Sequence, residues 1–278
     1  DLEKFCKNNK IKSIGISDTS NLCGALQFSE SVSKSKTQPI IGSQIKFKYK
    51  DLIGLIPIIS KNEVGYKNLV KLSSNSYLNH KNFNEPFCDF KELTKYKDGL
   101  IITLGGLNSL AGELFRKDRL NEIKEIYIIL KDLFKDNFYI EIQRHNDLNE
   151  KNLEIYNLNL SQKLNLPIIA SQEVYYLEKD LYEAHDALMC IGSKNYINDK
   201  NRLRLSNNHY FRNNEEMQKL FSDLPEALEN NYNLPLRCSF RPIASKPLLP
   251  NIGSKETFTA DEILKKDAEQ GLKDRFKN

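Results

Sequence analysis

The sequence predicts an α/β fold assembled from βαβ units, either a doubly wound sheet or a barrel, and three observations lead there. Short apolar runs rich in β-branched residues recur at residues 11–17, 39–48, 52–59, 100–104, 138–143 and 166–171. Runs of that length read as buried strands, and their nearly unbroken hydrophobicity predicts parallel pairing, because strands covered on both faces lose the in-out alternation. Between them, residues 63–78, 119–134 and 148–164 carry apolar positions at three- and four-residue intervals, the period of a helix with one buried face. Strand and helix in alternation means βαβ units.

After residue 171 the pattern becomes helical, over residues 177–191, 213–221 and 224–232. Asn213 is placed to cap the second of these, and Asp223-Leu224-Pro225 separates it from the third. A proline-bearing stretch at 241–253 reads as a connector. Residues 259–276 then read as one more helix: Thr259-Ala-Asp-Glu262 supplies a capping sequence with an acidic first turn, and Ile263, Leu264, Ala268 and Leu272 share helical spacing.

Composition narrows the function. The 278 residues, 40% of them hydrophobic, suffice for one large α/β domain or two modest ones. No apolar run approaches the roughly eighteen residues that a membrane helix needs, and the charged first ten residues lack the apolar stretch of a signal peptide, so no membrane contact and a cytoplasmic location are expected. Cys6, Cys23, Cys88, Cys190 and Cys238 form no CxxC or Cys/His cluster, which argues against a disulfide framework or a structural zinc site. The net charge of +4 arises from scattered mixed signs rather than a basic stripe, so direct nucleic-acid binding by this segment is not indicated. Gly105-Gly106 follows a strand but lacks the spacing of a phosphate-binding loop, and no GxSxG nucleophile motif is present.

Three residues end strands in the manner of barrel active sites. Asp18 follows the run at 11–17, His145 follows 138–143, and Glu173 follows 166–171. All three side-chain types bind metal, yet strand-end carboxylates also cap helices and turns, and a loop histidine can be a surface residue. His185, inside a helical pattern, reads as a packing or hydrogen-bonding residue.

Six segments taken together are recognisable: ISDTSNLCG at 16–24, QPIIGSQ at 38–44, VGYKNL at 64–69, YIEIQRH at 139–145, LPIIASQE at 166–173 and AHDAL at 184–188. In order and spacing they resemble the PHP domain of the bacterial DNA polymerase III α subunit. Tyr210-Phe211, Glu215-Glu-Met217 and FSDLPEAL at 221–228 resemble the helices that close this region in the same family. The resemblance implies a distorted (β/α)7 barrel lacking its first strand, followed by helices and the beginning of the polymerase core. It divides the chain into a PHP domain at 1–240, a connector at 241–258 and the start of a core helix at 259–278.

In catalytically competent PHP domains, the resemblance implies, histidines and carboxylates at strand ends, sometimes with a cysteine, hold a cluster of metal ions that activates water for phosphoester hydrolysis. Here the set reads as broken. The opening His-x-His strand is expected to precede Asp1. Thr19 stands where a histidine would follow Asp18, Gln44 where an acidic residue is expected, Gly106 where many relatives carry cysteine, and Tyr175 where an Asp-x-His would place its histidine. Asp18 and His145 match the family's pattern, and Glu173 retains a carboxylate, so these three are the remaining metal candidates, with Zn²⁺ or Mn²⁺ as a residual ion.

The expectation is thus a non-catalytic scaffold within a replicative polymerase, supporting the core and docking the proofreading exonuclease subunit and other replicase subunits. The parent protein would act on primer-template DNA with Mg²⁺ held by carboxylates outside this chain, and no catalytic residue or bound cofactor is expected within it. The alternative is a residual metal-dependent phosphoesterase, either a 3′-5′ exonuclease or a pyrophosphatase. A free-standing PHP phosphatase is disfavoured by the polymerase-like segments at 21–24 and 64–69.

Overall fold

The computed structural model describes residues 2–79, 85–247 and 259–276. His80 and residues 248–258 of the expected connector lie outside them. The chain divides into two compact units, Asp1–Ile243 and Ala244–Asn278.

The first unit is built on one mixed sheet. Its strands are β1 (Ser13–Thr19), β2 (Gln38–Tyr49), β3 (Leu52–Ser60), the two-residue β4 (Cys88–Asp89), β5 (Leu100–Leu104), β6 (Phe138–Ile142) and β7 (Ile168–Ala170). They run in the order β1-β2-β3-β5-β6-β7, with β4 added beside β2. The sheet curls into an open half-barrel, and among the described residues its path ends at β1 and β7. The α/β class and the positions of the six expected strands agree with the sequence reading.

Uniform parallel pairing does not hold. β1 with β2, β5 with β6, and β6 with β7 pair in parallel, but β3 is antiparallel to both β2 and β5. The register Tyr49↔Leu52 leaves only Lys50 and Asp51 to reverse the chain, whereas a parallel crossover needs about a dozen residues or more. Lys50 adopts φ +52°, the left-handed conformation that two-residue hairpin turns demand. β3 is apolar almost throughout, which hides a burial that strictly alternates along it.

Helices α3 (Glu63–Leu78), α5 (Leu110–Arg116), α6 (Leu120–Phe134), α7 (Glu150–Leu164), α9 (Asn214–Leu220) and α10 (Pro225–Leu236) contribute to the main core. They pack on the sheet face carrying Phe47, Ile56, Ile58, Ile102, Leu104, Phe138, Ile140 and Ile168. On the opposite face, Ile40, Ile101, Tyr139 and Ile169 meet Leu234 and Cys238 at the end of α10. Asn230 of α10 donates its amide to the Ile168 carbonyl (2.9 Å), which satisfies an acceptor on the terminal strand β7. Four shorter helices have no counterpart in the sequence reading: α1 (Leu2–Asn8), α2 (Ala25–Lys34), α4 (Phe90–Lys95) and α5. They are too short for their apolar spacing to stand out. The helix α8 (Tyr182–Ser193) starts five residues later than its apolar pattern suggests, because Tyr176 forms a β-bridge with Tyr210. The five cysteines are free, four of them buried and Cys23 exposed.

The second unit contains α11 (Ala260–Arg275). The Thr259 side chain accepts from the Glu262 N–H while Glu262 takes the Thr259 N–H, the reciprocal cap its sequence predicts. Asn213 and Glu216 cap α9 in the same way.

The VGYKNL segment owes its glycine to close backbone approach. Asn62 caps α3 by accepting from the Gly65 N–H (2.9 Å), and Gly99 lies against it with φ +73°. A Cβ on Gly65 would lie 1.8 Å from the Gly99 carbonyl oxygen. Gly65→Ala is therefore expected to destabilise the chain by about 3 kcal/mol, the upper range for overpacking. A melting curve indistinguishable from that of the unsubstituted chain would contradict this packing.

Candidate functional site

The site begins where β6 gives way to α7. After Ile142 the chain turns through Asn146 and Asn149, both with positive φ (61° and 70°), a conformation Asn tolerates better than most residues. The turn brings Glu150, the first residue of α7, back under His145. One Glu150 carboxylate oxygen accepts the N–H groups of His145 (2.6 Å) and Asn146 (2.8 Å), and the other faces His145 Nδ1 at 3.0 Å. A carboxylate is favoured at this helix N-terminus, where unpaired N–H groups gather. His145 is 1% exposed, so its ring depends on protein partners.

Glu173, in the segment after β7, supplies them. Its N–H donates to His145 Nε2 at 3.1 Å. Nε2 is therefore an acceptor, and Nδ1 carries the proton directed at Glu150. The Glu173 carbonyl accepts from Nδ1 of His209 (2.9 Å), whose Nε2 lies 3.0 Å from Asp147 Oδ2. The two imidazoles stack with centroids 4.2 Å apart and planes within 2°. Asp147 is held below its usual pKa, chiefly by its hydrogen bond with His209. For His209, burial opposes the charged ring, but the Asp147 side chain, the Glu173 carbonyl and the nearby negative charges outweigh it and raise the pKa. Ser206 Oγ (2.6 Å) and Asn208 Nδ2 (2.9 Å) donate to the His145 carbonyl, and the Ser206 N–H reaches Asp147 Oδ1 (3.3 Å). The segment carrying His209 is thereby tied over the strand ends.

The Glu173 side chain is also engaged. One oxygen accepts from the Tyr175 hydroxyl (2.7 Å) and the other from Asn108 Nδ2 (2.9 Å). Tyr175 stacks on His185, with centroids 5.3 Å apart. On the sheet face shared with Tyr139, Glu141 is buried and accepts from Ser171 Oγ (2.5 Å).

Two of the three expected ligands thus come together, His145 and Glu173, though through a main-chain N–H. Asp18 lies at the end of β1, at the other extremity of the sheet path, opposite Ser43. Thr19 and Gln44 are partners in the same β1–β2 register. At Gly106 the space for a side chain is taken by Gln143, whose Oε1 would lie 2.5 Å from an added Cβ. The group that could hold an ion is His145, Asp147 and His209, with one ligand atom from each lying within 4.8 Å of the others. Asp147 was not among the residues read from the sequence, although its His-x-Asp spacing from His145 is a local signal that could have marked it. His209 lies far away in sequence, and no local pattern marks it.

A sequence profile of the PHP domain family matches residues 1–145, more than half of the chain. The chain belongs to the PHP domain family. It is similar to the DNA polymerase III subunit alpha of Rickettsia felis, 35% identical over 270 residues that cover 97% of this chain and 22% of the relative. The subunits alpha of Caulobacter vibrioides (31%, covering 98% and 25%) and Borreliella burgdorferi (34%, covering 100% and 25%) are likewise similar. The chain therefore spans a quarter or less of the length of these relatives. The crystal structure of a candidate metal-dependent phosphoesterase from Bifidobacterium adolescentis covers 62% of this chain and 80% of its own at a TM-score of 0.40 and 10% identity, too distant to bear on the site.

The multinuclear centre that the family implies does not fit these residues. Thr19, Gln44, Gly106 and Tyr175 bring no carboxylate, imidazole or thiol, Asp18 is not among the donors that lie within reach of one another, and both Glu173 carboxylate oxygens already accept hydrogen bonds.

Two predictions follow from this geometry. Glu150→Ala removes the acceptor of three donors in a buried turn and is expected to cost on the order of 3 kcal/mol, read by urea unfolding. Burial raises the Glu141 pKa, with opposing help from Ser171. A folded-state pKa above the unfolded value of about 4.3 means that the stability present below that value is lost as pH rises through the folded pKa. Glu141→Gln, which cannot ionise, should therefore gain stability relative to the unsubstituted chain between pH 4 and pH 8. A difference in melting temperature that stays constant over that range would contradict the assignment.

Proposed function

We propose that this chain is the PHP region of a DNA polymerase III α subunit and acts there as a scaffold rather than as a phosphoesterase. The observation that carries this reading is the engagement of two of the three remaining donors, His145 and Glu173, with neighbouring groups. Glu150, His145, Glu173, Tyr175 and Asn108 form one hydrogen-bonded set, and no carboxylate in it is left to activate water on a second ion. The DNA-synthesising chemistry, with its Mg²⁺ and primer-template DNA, would reside in other parts of the α subunit. The region would be cytoplasmic with the rest of the replicase.

Its role would be to support the polymerase core and to dock the proofreading exonuclease subunit and other replicase subunits. Contact with another polypeptide surface is supported by α8 and the residues after it, where Leu188, Ile191, Tyr196 and Ile197 are 60% or more exposed. Scattered apolar residues are ordinary on a surface, but here four fall within ten positions of the chain.

The test is made on the complete α subunit purified without chelator. A 3′-mismatched primer and inorganic pyrophosphate should both survive incubation with added Zn²⁺, Mn²⁺ or Mg²⁺ when the exonuclease subunit is absent. Metal-dependent hydrolysis of either, lost on Asp18→Asn, would replace the scaffold with an active centre. In the same protein, Ile191→Asp combined with Tyr196→Asp should weaken binding of the exonuclease subunit at least tenfold, with its melting temperature unchanged.

A further inference from the structure

We propose that His145, Asp147 and His209 bind one zinc ion through His145 Nε2, Asp147 Oδ2 and His209 Nε2, a mononuclear site that shares only His145 with the positions that the family resemblance implies. Asp147 and His209 occupy none of those positions, and Asp18 takes no part. The inference rests on the scaffold reading and adds a single bound ion to it.

The orientation of the two rings carries the argument. His145 turns Nδ1 toward the Glu150 carboxylate (3.0 Å) and His209 turns Nδ1 toward the Glu173 carbonyl (2.9 Å). Metal-binding histidines are characteristically fixed in this way, with one nitrogen donating to a carboxylate or carbonyl and the other left as the ligand. The Nε2 atoms are the ones that can turn to an ion, His145 Nε2 on release of the Glu173 N–H and His209 Nε2 on loss of its proton to solvent. Asp147 Oδ2 already stands 3.0 Å from His209 Nε2, close to the separation of two donors that each lie about 2.0–2.1 Å from a common zinc. One ligand atom from each residue lies within 4.8 Å of the others. Both histidines are fully or almost fully buried and Asp147 is half-buried, so an ion would be shielded yet reachable from the Asp147 side. Two imidazoles and one carboxylate suit zinc better than magnesium, which prefers an all-oxygen shell. A water would complete the tetrahedron.

Loading the site changes three contacts. The ion takes the place of the His209 Nε2 proton, which leaves to solvent. The Glu173 N–H gives up His145 Nε2. Because imidazole lone pairs lie in the ring plane, one ion cannot be in plane with both rings of a parallel stack, so one ring tilts out of the 2° arrangement. The ion would then link the β6 end to the segment containing His209 by coordination in addition to hydrogen bonds.

The experiment uses the complete chain, freed of metal by chelation and titrated with Co²⁺ as a spectroscopic probe and then with Zn²⁺ as competitor. The expected result is one tetrahedral Co²⁺ per chain, displaced by one Zn²⁺, with affinity lowered at least a hundredfold by His209→Gln and by Asp147→Asn but unchanged by Asp18→Asn. Asp147→Asn keeps an acceptor facing His209, so it serves where His209→Gln fails to fold, as judged by circular dichroism. No binding at micromolar ion, or binding indifferent to both substitutions, would overturn the proposal while leaving the scaffold reading intact. Two or more ions lost together on Asp18→Asn would overturn both.

Discussion

The strand-end site depends on the Glu150 carboxylate. It gathers two main-chain N–H groups and the His145 ring within a single turn between β6 and α7. A buried carboxylate without such donors would be expensive, as would the buried N–H groups without it. Once Glu150 is in place, His145 has a fixed tautomer, its Nε2 meets the chain leaving β7, and the Glu173 peptide group engages a second imidazole. Arg144, one residue earlier, continues the same logic outward, pairing with Glu154 of α7 and with Asp223 between α9 and α10. The helices that follow the sheet are thereby keyed to the β6 end.

Much of the fold was legible because its signals are local. Strands β1, β2, β3, β5, β6 and β7 appear as apolar runs, α3 has the predicted bounds, and the caps at Asn213 and Thr259 follow from residues three positions apart. Strand direction was less accessible, because apolar composition reports burial on both faces and says little about orientation. The decisive signal for β3 was the two-residue spacing at Lys50-Asp51. The site was half legible for a related reason. His145 and Glu173 end strands and could be named, whereas Asp18, which also ends a strand, is not in the group of donors that lie together. His209 reaches the centre only through a loop about sixty residues further along, a relation that no periodicity encodes.

Where the family resemblance implies metal donors, this chain carries Thr19, Gln44, Gly106 and Tyr175. Tyr175 and Asn108 now satisfy Glu173, and Gln143 fills the space beside Gly106. Tyr175 thus closes a hydrogen bond, and the absence of a side chain at Gly106 leaves the room that Gln143 takes.

The central claim is that internal hydrogen bonds, set by Glu150 and the Glu173 peptide, organise this centre. The most direct measurement is two-bond ¹H–¹⁵N correlation of the histidine rings in the metal-free chain. His145 is expected to carry its proton on Nδ1 with a bare Nε2, and His209 to carry one on the Nδ1 that faces the Glu173 carbonyl. A proton on His145 Nε2 would contradict the claim, because the Glu173 N–H would then face a donor and the arrangement that joins the two strand ends could not exist.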